Sequence, residues 1–329
     1  MKTAPTDALA DVHPSLRRGL SPAVRWIAGR PPTRPWLVGL YCIGRAMQGI
    51  AGIRTPSRRV KGAPGQPDVT VWIIDRRARK TRSPTPAVLH IHGGGYIAGV
   101  PAMNFKALRR LSSELDCLVV SVDYRLAPRT RFPGALEDNH AALGWLHANA
   151  HELGIDRARI AVMGDSAGGG HAAALAIAAR DRGQHALAFQ VLIYPMLDDR
   201  TGSTRAPSSP RMGAQMWTAQ ANVFGWTSLM GVPAGSPAAP YGAVPARVDD
   251  LAGLPPAWIG VGSLDLFHDE DIVYAARLKA AGVPVILELV DGAYHGFDTL
   301  VADAPLAQAF TGSWMSALRR AFDSKAAQA

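Results

Sequence analysis

The chain has 329 residues, 48% hydrophobic and 19% charged, which excludes a disordered or collagen-like polymer and allows a buried core of useful size. Its net charge of +9 is uneven: residues 1–82 hold 16 Lys/Arg against 4 Asp/Glu, and the rest 19 against 22. The N-terminal arginines are scattered among prolines and tryptophans without a recognition motif, so a solvated basic face is expected and no nucleic-acid partner.

Residues 1–55 read as short helices between proline groups. The longest apolar run there, Trp36 to Gly44, has nine residues, about half of the ~20 that span a bilayer, so no stable membrane insertion is expected. A helix packed on the main domain is the expectation, and attachment of this basic, Trp-containing segment to an anionic membrane surface the alternative. The first thirty residues lack the apolar core of a signal peptide. With only Cys42 and Cys117, no disulfide framework is implied, and a reducing cytoplasm is the expected compartment.

An extended stretch follows from Arg58 to Asp75, and then strands alternate with helices. Apolar runs at Ala87–His92, Asp116–Arg125, Arg159–Gly164, Phe189–Pro195, Pro256–Gly262 and Val283–Val290 predict strands covered on both faces. Helices are predicted at Phe105–Leu115 and from Pro133 to about Ala150. The expected fold is α/β with a mostly parallel sheet flanked by helices. Asp198 to Leu254 breaks the rhythm; it is rich in Gly, Pro, Ser and Ala, with one helix carrying Met216, Trp217, Phe224 and Trp226, and it reads as an insertion covering a site.

The stretch GDSAGGG, residues 164–170, follows an apolar run and opens an alanine-rich segment. By itself it leaves open a phosphate loop, a plain turn and a nucleophile. Neither a Walker A loop nor a G-x-G-x-x-G fingerprint fits, whereas G-x-S-x-G does: Gly164-Asp165-Ser166-Ala167-Gly168. Small residues on both sides of Ser166 let a strand and a helix approach closely around a strained bend.

A second motif, His92-Gly93-Gly94-Gly95-Tyr96, follows a predicted strand upstream. Here the backbone N–H groups of Gly93 and Gly94, with that of Ala167, would form an oxyanion hole of three donors. His92 reads as a brace on nearby backbone, because the order nucleophile, acid, base puts the base last. His295 is then the candidate base, on a glycine-flanked loop expected to be mobile and accessible. Asp265 is the candidate orienting acid, with Asp269 and Asp271 as competitors on a following helix in solvated or capping roles. Tyr96, Tyr194, Trp217 and Phe224 are candidates for the substrate pocket. His147 and His151 are spaced i, i+4 but have no third ligand, so no metal is expected.

These motifs occur in order with VDYRLAP (122–128), IYPMLD (193–198), GSLDLFHDE (262–270) and HGF (295–297). The chain resembles the bacterial hormone-sensitive-lipase-like esterases of the GDSAG type, over about residues 85–300. The resemblance implies an α/β-hydrolase fold, with Ser166 as nucleophile, His295 as base and Asp265 as orienter. It also implies a helical cap from residues 1–55 and about 198–230, over a catalytic domain of 56–329. One departure is Arg129, where the family usually has a glutamate after YRLAP.

The expected activity is hydrolysis of short- to medium-chain acyl esters through an acyl-serine, with a small-molecule ester as partner and no cofactor. An amidase or deacetylase using the same groups is the alternative. A ligand-binding homologue without catalysis, as in plant gibberellin receptors, would lack the base, and His295 is present. By resemblance, Phe189–Pro195 is a candidate edge-proximal strand for a homodimer.

Overall fold

The computed structural model describes residues 9–28, 34–77 and 83–326. In chain order, a 3-10 turn (Pro14–Gly19) leads to α1 (Pro22–Ala28) and α2 (Arg34–Gly52), then β1 (Ser57–Val60), β2 (Val69–Asp75) and β3 (Thr85–Ile91). Next come α3 (Phe105–Leu115), β4 (Leu118–Asp123), α4 (Gly134–Ala148), α5 (Ala150–Leu153), β5 (Ile155–Asp165), α6 (Ala167–Arg182) and β6 (Phe189–Ile193). The remaining elements are α7 (Ala219–Met230), β7 (Ala257–Gly262), α8 (His268–Ala280), β8 (Val285–Val290), α9 (Phe297–Leu300) and α10 (Pro305–Ala326).

Among the described residues the strands form one sheet, ordered β1-β2-β4-β3-β5-β6-β7-β8. Along the first edge β2 runs antiparallel to both of its neighbours, β1 and β4, and every pairing from β4 to β8 is parallel. Successive residues of a strand face opposite sides. Leu89, Val120 and Val162 therefore enter one core layer with Leu175 of α6, while Val88, Val119 and Met163 enter the other with Phe310 of α10. This two-sided burial explains why the central strands read as unbroken apolar runs.

Two strand expectations are corrected. Phe189–Ile193 lies inside the sheet, paired with β5 on one side and β7 on the other, so it offers no edge to a second chain. β8 is the outer strand, and Ile286 and Leu289 are exposed on it, so it is not covered on both faces.

Register sets the height of the loops that matter. Ile91 pairs with Gly164, and Gly164 with Leu192, so β3, β5 and β6 end at one level. The chain thus leaves β3 into His92-Gly93-Gly94 beside the point where β5 enters the Ser166 turn. In open parallel sheets ligands bind at this carboxyl end of the strands.

The described part of residues 1–55 divides in two, unlike the single cap segment expected. Val12, Leu16 and Leu20 are buried in the core layer that holds Tyr294, Phe297 and Val301. The His13 N–H donates to the Gly292 carbonyl at 3.0 Å and the Tyr294 hydroxyl to the Leu16 carbonyl at 3.0 Å. Helix α2 instead packs against residues 101–104 through Gln48, whose Oε1 accepts the Ala102 N–H at 2.9 Å. No described helix is long and apolar enough to cross a membrane.

Candidate active site

Ser166 occupies the bend between β5 and α6 with φ 57° and ψ −123°, a backbone region that side chains rarely adopt. Surrounding bonds hold it there: its N–H donates to the Ile193 carbonyl at 2.9 Å, and its carbonyl accepts from Met196 at 3.0 Å. The flanking glycines are required by close approach. A Cβ on Gly164 would lie 2.2 Å from the Gly168 carbonyl oxygen, and one on Gly168 would lie 2.1 Å from that of Ile91.

The three residues expected to work together meet. His295 Nε2 lies 2.9 Å from Ser166 Oγ, and His295 Nδ1 lies 2.8 Å from Asp265 Oδ2. Asp265 is fully buried in the turn after β7, and its other oxygen accepts the Phe267 N–H at 3.0 Å. A carboxylate tied at both oxygens cannot rotate away, so it holds Nδ1 protonated and leaves Nε2 to face the serine.

The His295 loop is packed rather than open. Only 12% of the side chain is exposed. Phe267 meets the imidazole edge to face at a centroid distance of 5.2 Å, and Tyr194 does so at 4.8 Å. Sequence reading missed this role for Phe267, although an acid bonding the N–H two residues on is a readable local pattern.

The competing acids stand apart from His295. Asp269 accepts from the Ser208 N–H at 2.8 Å and the Ser208 hydroxyl at 3.0 Å. Asp271 is fully buried, not solvated as expected, and burial pushes its carboxyl well above the usual range.

Among the described residues, the N–H groups of Gly93, Gly94 and Ala167 donate to no protein acceptor. Ala167 also opens the 16-residue α6, whose N-terminus carries positive potential. His92 bonds the Gly93 carbonyl through Nδ1 at 2.8 Å, stacks on Tyr124 and is buried. Burial lowers its pKa to about 4, so the ring is neutral near pH 7 and braces this loop uncharged. Asp165 points back toward the loop, and a Cβ on Gly93 would lie 2.5 Å from its Oδ2.

Two pocket expectations are corrected. Tyr96 is buried, packs on His171 and Trp226, and gives its hydroxyl to the Met196 carbonyl at 2.8 Å. Tyr194 is buried behind His295 with its hydroxyl on Asp298. Trp217 is half-buried near His295, at a ring distance of 6.5 Å, and a Cβ on Gly95 would lie 2.1 Å from its indole. Phe224 is half-buried on α7, in the apolar cluster that holds Trp226 and Leu229. Trp217 itself precedes α7, which Thr218 caps by accepting the Ala221 N–H. His147 bonds the Ala186 carbonyl, His151 is exposed, and Arg129 is exposed outside the triad.

The family model described as alpha/beta hydrolase fold matches residues 88–299. The chain belongs to that family. This α/β hydrolase is 37% identical over 237 residues to the esterase LipI of Mycobacterium tuberculosis, a match covering 71% of this chain and 72% of LipI. It is 38% identical over 250 residues to the carboxylesterase NlhH of Mycobacterium tuberculosis, covering 73% and 75%. Among solved structures it is similar to a bacterial heroin esterase, with a TM-score of 0.81 and 33% identity over 95% of this chain and 99% of that one. The resemblance to hormone-sensitive-lipase-like bacterial esterases therefore holds over the matched residues 88–299.

Proposed function

We propose that this α/β hydrolase is a serine carboxylesterase acting on small acyl esters of short to medium chain length. The observation that carries the reading is the unbroken relay Ser166–His295–Asp265, at 2.9 and 2.8 Å. In the first step Ser166 Oγ attacks the ester carbonyl carbon while His295 Nε2 takes the hydroxyl proton. The amides of Gly93, Gly94 and Ala167 receive the negative oxygen, and Asp265 balances the imidazolium. The proton on Nε2 then passes to the departing alkoxide, leaving an acyl-serine. Water, activated by His295, repeats the sequence in reverse and frees the acid. The chemistry calls for no metal or organic cofactor. The names of LipI and NlhH support an ester as substrate.

The cap is assigned to α1, α2 and the 198–230 segment, the last because Trp217 and α7 stand over Gly95. With Cys42 exposed and Cys117 buried as free thiols, a reducing cytoplasm is the compartment this reading assumes.

The test is a rate profile on p-nitrophenyl esters of increasing acyl length beside matched anilides, with Ser166→Ala as blank. Ester hydrolysis favouring the shorter acyl groups is expected, and the variant should lose about 10⁶-fold in kcat. Faster anilide cleavage would replace the esterase reading with the amidase one. Substantial activity in the variant would refute the nucleophile.

A further inference from the structure

Helix α2 has two unlike faces. Toward the body, Arg45 donates to Asp123 Oδ2 at 2.7 Å, and Gln48, only 2% exposed, donates to the same oxygen at 3.3 Å. Away from it, Ile43, Met47 and Ile50 are 60%, 48% and 73% exposed. At about 100° per residue these three fall within an arc of about 60°, centred about 130° around the helix from Gln48. They form an apolar stripe, and just past the helix end Ile53 is 82% exposed. Single exposed apolar side chains are ordinary on a protein surface, but a stripe on one helix face marks an interaction site.

The charge of the sequence stretch that carries the stripe selects its partner. From Val12 to Pro67 the sequence carries ten Lys/Arg and no Asp/Glu. Arg25, Arg54, Arg58 and Arg59 of this stretch are exposed. A second copy of the chain would bring like charge against like. A nucleic acid would satisfy the arginines and leave the stripe in water. An anionic bilayer satisfies both, because acyl chains take the apolar side chains while headgroups meet the cations. We propose that α2 docks this protein onto an anionic phospholipid surface, with Ile43, Met47 and Ile50 entering the headgroup–acyl boundary. The attachment is interfacial, since no described helix is fit to span the membrane.

The test is co-sedimentation of the full chain with vesicles of phosphatidylcholine alone and of equal parts phosphatidylcholine and phosphatidylglycerol. Binding to the mixed vesicles only, weakened by added salt, is expected. The triple variant Ile43→Ser, Met47→Ser, Ile50→Ser should bind at least about tenfold more weakly, at a melting temperature equal to the parent's. Arg54→Glu, Arg58→Glu, Arg59→Glu tests the electrostatic half independently and should also lose binding. No sedimentation with mixed vesicles, or full binding by the serine variant, overturns the proposal. So does a dimer in vesicle-free solution that the serine variant abolishes, which would give the stripe to a second copy.

Discussion

The Tyr194 ring meets the His295 imidazole at 4.8 Å between centroids, while its hydroxyl donates at 2.7 Å to Asp298, three residues beyond that histidine. One side chain thus grips the His295 loop at two points, by ring contact and by hydrogen bond. Burial raises the Asp298 carboxyl to about 6 and the Tyr194 phenol well above its ordinary value. The phenol therefore stays protonated and remains the donor. Tyr194→Phe keeps the ring and removes the bond. Because one such bond is worth about 1 kcal/mol net, kcat should fall about three- to tenfold with KM little changed, and steady-state kinetics on a soluble ester decides. A rise in KM alone would return Tyr194 to the substrate pocket.

Gly168 has no room for a side chain. A methyl there would press on the carbonyl oxygens of Ile91 and His92, which are backbone atoms leading straight into the Gly93-Gly94 loop. Gly168→Ala should destabilise the fold by about 1–3 kcal/mol and move the oxyanion donors out of line. Urea unfolding should show the first effect and a depressed kcat the second. Parent-like values of both would contradict the packing described above.

Trp217 closes the space over Gly95 and is held by a bond from its indole N–H to Asn222 Oδ1 at 3.2 Å. Trp217→Ala should move the optimum acyl length upward, with relative kcat/KM for longer esters rising about tenfold, since each buried methylene contributes about 0.8 kcal/mol. An unchanged length profile would make Trp217 a packing residue of the cap.

His171 is buried among the rings of Tyr96 and Tyr124, and burial lowers its pKa from 6.5 to about 3. Between those values the unfolded chain binds a proton that the native state refuses. Its contribution to stability is therefore fully present above pH 6.5 and lost progressively as pH falls toward 3. His171→Leu should flatten the fall of stability with acid by up to about 1.4 kcal/mol per pH unit within that window. Melting temperatures of parent and variant from pH 7 to 4 test it; parallel curves would show that His171 gains its proton without unfolding.

Much of the sheet was readable because the central strands are buried on both faces and so carry continuous apolar runs. α3 falls at Phe105–Leu115 as its pattern predicts. The outer strand misled because Val285–Val290 is a largely apolar run interrupted only by Glu288, and its place at the edge of the sheet leaves Ile286 and Leu289 exposed. The N-terminal segment misled differently. Leu16 and Ile43 are both apolar residues of N-terminal helical elements, yet one is wholly buried near Tyr294 and the other is 60% exposed. Local pattern records that a side chain is apolar, not which surface receives it.

The chemistry of this protein was written locally. Gly164-x-Ser166-x-Gly168 and His92-Gly93-Gly94-Gly95 carry their meaning in adjacent residues, because backbone crowding at a bend dictates the neighbours of Ser166. Asp265 and His295 were legible as candidates because their order after Ser166 matches this fold, and the structure brings His295 into hydrogen-bond reach of both Asp265 and the serine. The tertiary structure alone decided what stands around them. It placed Tyr194 and Phe267 against the imidazole, buried Asp271 without solvent, drew Leu16 toward the His295 loop and left the stripe of α2 bare. Those outcomes depend on contacts between segments far apart in the chain, and burial is a property of the folded surface rather than of any residue in it.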